Sequence, residues 1–207
     1  MKERPVIFNG EMVRALLEGR KTQTRRVIAN VGADNCIPLQ KQTKTKDGIY
    51  THVMDAPMYG LCPFGQVGDR LWVRETWQGP LVDEERFEDY RANADKFQTP
   101  EFCEYAADGG ARPEFCDLDD NVRQGWRPSI HMPRWASRLT LEITAVRVER
   151  LQDISEADAI AEGGTKHFNI DWFGPLWASI YGEESWNANP WVWVIEFRRV
   201  GGSDASK

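Results

Sequence analysis

Apolar and polar positions alternate along this chain with periods that change at readable points. PVIFN, at 5–9, is an apolar run of strand character, and in GEMVRALLEG after it Met12, Ala15, Leu16 and Gly19 recur at helical spacing. Asn9 is placed to cap that helix and Gly19 to end it, which predicts about two and a half turns. In KTQTRRVI, at 21–28, a regular alternation with two threonines predicts a turn leading into a strand. Residues 29–63 are polar and irregular and read as a long loop or a hairpin arm. In CPFGQVGDRLWVRETW the turn formers Pro63, Gly65, Gly68 and Asp69 precede a strand on which Leu71, Val73 and Glu75 alternate against Trp72, Arg74 and Thr76. That strand is expected to be central.

The second half repeats the logic. RLTLEITAVRVERL holds the longest strand, with Leu139, Leu141 and Ile143 on one face and a change of phase to Val146 and Val148, as a β-bulge or a sharp coil would produce. ISEADAIAEGG predicts a short helix with a Ser155/Asp158 capping box, stopped at Gly163-Gly164. A second helix starts near Asp171, with Trp172, Phe173, Leu176, Trp177, Ile180 and Tyr181 on one face. PWVWVIEFRRV is apolar almost throughout to Glu196 and is expected to be buried on both faces, which assigns Trp191 and Trp193 to the core. No internal repeat is present. Strands surround a few short helices without regular β-α alternation, so the expected class is α+β: a small mixed β-barrel with flanking short helices. We read residues 1–200 as a single domain and 201–207 as a flexible tail.

Charge changes the picture in one place. The 207-residue chain carries a net charge of −6. Residues 79–125 hold thirteen acidic and five basic side chains, a local −8, which leaves +2 for the remainder. This acidic insertion is expected to be a peripheral excursion, solvated over its surface, that offers a protein partner a docking face. Cys36, Cys62, Cys103 and Cys116 have irregular spacing and three histidines accompany them, so no metal site is expected. The chain has no long apolar run and no apolar leader behind its first charges, which predicts a cytoplasmic protein that does not enter a membrane.

Against that acidic background, EGRKTQTRRVI at 18–28 gathers Arg20, Lys21, Arg25 and Arg26 beside Thr24. A lysine next to a hydroxyl binds an anion or, with its pKa lowered by burial, deprotonates the hydroxyl. Three residues apart, Lys21 and Thr24 face opposite ways in a regular strand and converge only if the strand starts after about Thr22. A solvated basic loop is the plain alternative.

LLEGRKTQTRRV, FGQVGDRLWVRE, LEITAVRVERLQDISEADAIAEG and WVWVIEF together resemble the ASCH domain family, relatives of PUA and EVE domains, over about half the chain. The long form, with RPSIHMPRWASRLTL, also resembles proteins encoded in phages and prophages. The resemblance implies a pseudo-barrel with a cleft for RNA or a modified nucleoside. For small members that remove the acetyl group from the exocyclic amine of acetylcytidine, it places the working residues at Lys21, Thr24 and Glu162, with no cofactor or metal. Thr24 would attack or position water, Lys21 would activate it or stabilise the oxyanion, and Glu162 would move the proton. The acidic insertion and the tryptophan-rich strands depart from those small hydrolases.

A second reading is a binding module, in which Arg20, Arg25, Arg26 and Arg74 contact phosphate and Trp72, Trp77, Trp126 or Trp135 stacks on a base. A third is a ribonuclease using His131, in a basic and aromatic setting, as general base. A fourth is a protein-interaction role for 79–125.

Overall fold

The computed structural model describes residues 1–39, 49–116, 121–165 and 170–200. The flexible tail expected at 201–207 and the lysine-rich part of the 29–63 arm lie outside the described residues.

Strand β1 (Glu3–Ile7) leads into helix α1 (Gly10–Leu17), then β2 (Gln23–Val27), β3 (Cys36–Pro38), β4 (Tyr50–His52) and β5 (Arg70–Arg74). β6 (Trp77–Gln78) comes just before the segment expected as an excursion, which contributes α2 (Phe87–Ala92), β7 (Glu104–Tyr105), β8 (Glu114–Cys116) and β9 (Val122–Gln124). The long strand β10 (Thr140–Arg150) follows, then α3 (Glu156–Ala161), α4 (Ile170–Tyr181), α5 (Glu183–Asn187) and β11 (Trp191–Arg199). Five strands form one sheet in the order β1-β5-β10-β11-β2. Arg70 N–H donates to Lys2 O and Phe8 N–H to Arg74 O, so partners rise together and β1 runs parallel to β5. Val73 N–H to Leu139 O and Ile143 N–H to Asp69 O make β5 and β10 antiparallel. Leu151 N–H to Pro190 O and Val200 N–H to Thr140 O do the same for β10 and β11. β11 and β2 are antiparallel, with Thr24 opposite Ile195 and Arg25 opposite Val194. The class is thus α+β with a mixed sheet; among the described residues no ladder joins β2 back to β1.

The chain clusters into two compact units. One comprises Met1–Glu3, Ala15–Arg70 and Glu142–Arg198; the other comprises Arg4–Arg14, Leu71–Leu141 and Arg199–Lys207. In the first unit, β3 and β4 pair as a hairpin arm with Ile37 opposite Thr51. Its core packs Leu151, Ile154, Ala159, Phe173 and Trp177 against Val192 and Val194 of β11. β11 is buried on both faces, as its continuous apolar run requires. Burial along β10 shifts phase from Leu141 and Ile143 to Val148.

In the second unit, Asn9 Oδ1 accepts the N–H of Met12 at 2.9 Å, so the cap of α1 is the expected one. Leu71, Val73 and Glu75 are all buried. The acidic segment is less solvated than its composition suggests. Phe87, Tyr90, Phe97 and Phe102 form a chain of ring contacts at 4.9–6.3 Å, Phe97 and Ala107 are buried, and Tyr105 joins a core with Trp77, Met132 and Ala136. Aromatic spacing without a period hid this, because the rings meet through short turns rather than along one element. No helix among the described residues is long and apolar enough to cross a membrane.

Candidate functional site

Lys21 sits between Gly19, whose φ of 75° turns the chain at the end of α1, and the first residue of β2. The N–H groups of Arg20 and Lys21 both return to Ala15 O, at 2.9 and 3.0 Å, and Thr22 N–H donates to Ala161 O at 2.8 Å. The last bond ties the entry of β2 to the end of α3. α3 is short and sharply bounded. Ser155 and Asp158 cap it reciprocally, Glu162 is its C-cap, and Gly163 follows at φ 110°. A Cβ at Gly163 would lie 3.0 Å from the Ala15 Cβ and 3.5 Å from the Lys21 Cβ, so only glycine lets the two segments approach this closely.

The approach brings together two groups 141 residues apart. Lys21 Nζ donates to Glu162 Oε2 and to the Glu162 carbonyl, each at 2.8 Å, and the two residues are 2% and 3% exposed. Burial, the largest influence, holds the Lys21 ammonium below its ordinary pKa; Glu162 opposes this by charge and hydrogen bond, while Arg26 and Arg25 add to the lowering.

Thr24 is fully buried, and its Oγ1 has no hydrogen-bond partner, so it is bonded neither to Lys21 nor to Glu162. The pleat explains this. Gln23 and Arg25 point toward β10 and α3, where their partners lie, and Thr24 between them points the other way.

Arg25 does not reach a phosphate. Its side chain is closed off from solvent and bonds Glu149 Oε2 at 3.0 Å, Asp158 Oδ2 at 3.4 Å and Glu162 Oε1 at 3.3 Å, with its guanidinium carbon 5.9 Å from the Phe173 ring centre. Arg147 extends the network, bonding Asp158 Oδ1 at 2.8 Å and Gln23 Oε1 at 3.2 Å, and pairing with Glu149 and Glu196. Arg20 is partly exposed, pairing with Glu18 and donating to Gly163 O. Half-buried Arg26 donates to Arg25 O at 3.1 Å.

The remaining candidates belong to the second unit. Trp77 is 1% exposed and lies in the core, where Trp135 meets its edge at 5.5 Å, so it offers no face to a base. Trp72 is half-buried under Arg74, 5.5 Å from its ring centre, and Arg74 also donates to Ile130 O. His131 is exposed and Trp126 half-buried. A cavity of about 710 Å³ opens on the acidic insertion, where Asp83, Glu84, Glu104 and Glu114 face Phe87 and Tyr90.

Arg147, Glu149 and Asp158 escaped the sequence reading as site residues. The available signal was spacing: Asp158 and Glu162 are i, i+4 on one helix face, and Arg147 and Glu149 share one face of β10. The fold and site define an α+β protein with a buried lysine–carboxylate pair backed by two arginines. Comparison with protein-family models, curated proteins and solved structures found no match.

Proposed function

We propose that the first unit carries an ASCH-type site, in a PUA-like pseudo-barrel, that hydrolyses the acyl group from the exocyclic amine of an acylated cytidine. The observation that carries this reading is the 2.8 Å contact between Lys21 Nζ and Glu162 Oε2 in a desolvated setting. Burial lowers the Lys21 pKa, which eases its conversion to the amine that accepts a proton from the attacking oxygen. The water oxygen adds to the acyl carbon as Lys21 takes its proton, Lys21 passes that proton to Glu162 across their hydrogen bond, and Glu162 delivers it to the exocyclic amine as the C–N bond breaks, leaving the carboxylic acid and the free amine. Thr24, on the opposite face of β2 and bonded to neither member of the pair, is left out of this proton transfer, so the attacking oxygen is that of water. Both members of the pair are closed off from water, so the reading requires an opening that admits the base. Purified protein is expected to release acetate from N4-acetylcytidine. Lys21→Ala and Glu162→Gln should each lower kcat by about 10²–10⁴. Absent turnover, together with tight, salt-sensitive RNA binding, would replace the hydrolase by a binding module.

One observation favours a second reading, a docking role for the insertion. The cavity at Asp83, Glu84, Glu104 and Glu114 combines carboxylates with the rings of Phe87 and Tyr90, a lining suited to lysine or arginine side chains of a basic protein partner. A polyarginine peptide should bind the full chain and lose affinity on Glu104→Gln/Glu114→Gln; equal binding by that variant argues against the role.

A further inference from the structure

Glu162 is held at both oxygens. Oε2 faces Lys21 Nζ at 2.8 Å and Oε1 faces Arg25 Nη1 at 3.3 Å. Arg25 is in turn fixed by Glu149 of β10 and Asp158 of α3, while Arg147 braces those two carboxylates. The planar guanidinium spans three carboxylates, with Nη2 on Glu149 and Asp158 and Nη1 on Glu162, so the first two fix its position and it holds Glu162 Oε1 in place; a lysine has no planar array to span all three. Lys21 Nζ is held besides by the Glu162 carbonyl at 2.8 Å, which fixes the ammonium at the end of α3 and leaves the carboxylate to be aimed at it.

We propose that Arg25 is a positioning residue of this site: by holding Oε1 it aims Oε2 at Lys21 Nζ and keeps the proton-transfer pair in register. This rests on the hydrolase reading for its catalytic meaning, though not for its geometry. It replaces the phosphate contact expected of Arg25 with a role turned inward.

Two effects of removing Arg25 have opposite signs. Charged groups facing Lys21 are Glu162 from the end of α3 and Arg25 and Arg26 from β2; those facing Arg25 are Glu149, Asp158 and Glu162. If Arg25 acted only as a nearby positive charge, its loss would raise the Lys21 pKa. If it aims Glu162, its loss frees the carboxylate to swing, the 2.8 Å bond to Nζ weakens, and the Lys21 pKa falls further.

The test follows the Lys21 side-chain resonance by NMR through a pH titration in the full chain, wild type against Arg25→Gln and Arg25→Lys. Arg25→Gln is expected to move the Lys21 titration to lower pH, and Arg25→Lys, which loses the planar array but keeps the charge that itself lowers the Lys21 pKa, to move it the same way at least as far. A rise, or no movement in a folded variant, overturns the proposal. Unfolding of both variants also overturns it, because Arg25 would then be supporting the fold rather than aiming one group. The titration needs no turnover, so it stands apart from success or failure of the hydrolase. Where acetylcytidine is turned over, Arg25→Lys should lower kcat by about tenfold or more with KM within about twofold.

Discussion

Thr24 shows that a residue expected in the site can lie on the other face of its strand and cost stability there. Its hydroxyl is fully buried without a partner, and a buried hydroxyl left unbonded costs about 1–3 kcal/mol in proteins. Valine keeps the branched shape and removes the polar atom. Thr24→Val is therefore expected to raise stability by about 1 kcal/mol in urea unfolding, with acetylcytidine turnover little changed. A loss of stability would mean that the hydroxyl has a partner. Trp77 is a contrasting residue: a tryptophan beside arginines looked fit to stack on a base, but it stands in the core with Arg127 5.4 Å from its ring centre.

At the scale of elements, charged side chains hold segments in place across long sequence distances. In the second unit, Arg138 takes both oxygens of Glu75 at 3.0 Å and both oxygens of Asp108 at 2.8 Å, and lies 3.9 Å from the Tyr105 ring centre. One arginine thus fastens the acidic insertion beside the end of β5. Glu75 shares the buried phase of Leu71 and Val73, which already signalled that this carboxylate would need a cation. Arg138→Ala leaves Glu75 buried and unpaired, and unfolding is expected to become easier by about 3 kcal/mol, the low end for a buried pair because Arg138 is partly wet. Replacing Glu75 with methionine in the same chain should recover most of that loss, and urea midpoints of the single and double variants would measure it.

For the whole molecule, the two buried groups give opposite responses to pH. The folded Lys21 has a pKa below its ordinary 10.5, so between those values the unfolded chain binds more protons and stability rises with pH. Below the folded value the penalty is fully present. Urea midpoints from neutral pH toward 10.5 should rise more in wild type than in Lys21→Met, and parallel curves would count against the burial argument. Glu75 runs the other way. Burial, stronger than the pull of Arg138, holds its carboxyl above 4.5, so its contribution falls as pH rises from 4.5 through the folded value. Net charge says little about either response, since the acidity is lodged in one segment and the titrating groups are buried elsewhere.

Local periodicity was enough to place α1, β5, α3 and β11, because capping by Asn9 and Ser155, the Gly68-Asp69 turn and the doubly buried run at 191–197 act over a few residues. The basic stretch at 18–28 was likewise visible as a cluster, and the family resemblance named Glu162 as its distant member. Which way each of its charges points was decided only in three dimensions. Lys21 meets Glu162 because Gly163 admits close contact, Arg25 turns inward because β10 and α3 present three carboxylates to its face of β2, and Thr24 is left on the other face. A side chain's partners depend on segments that pack against it from far along the chain, and removal from water makes those partners matter; neither is written in the spacing of its neighbours.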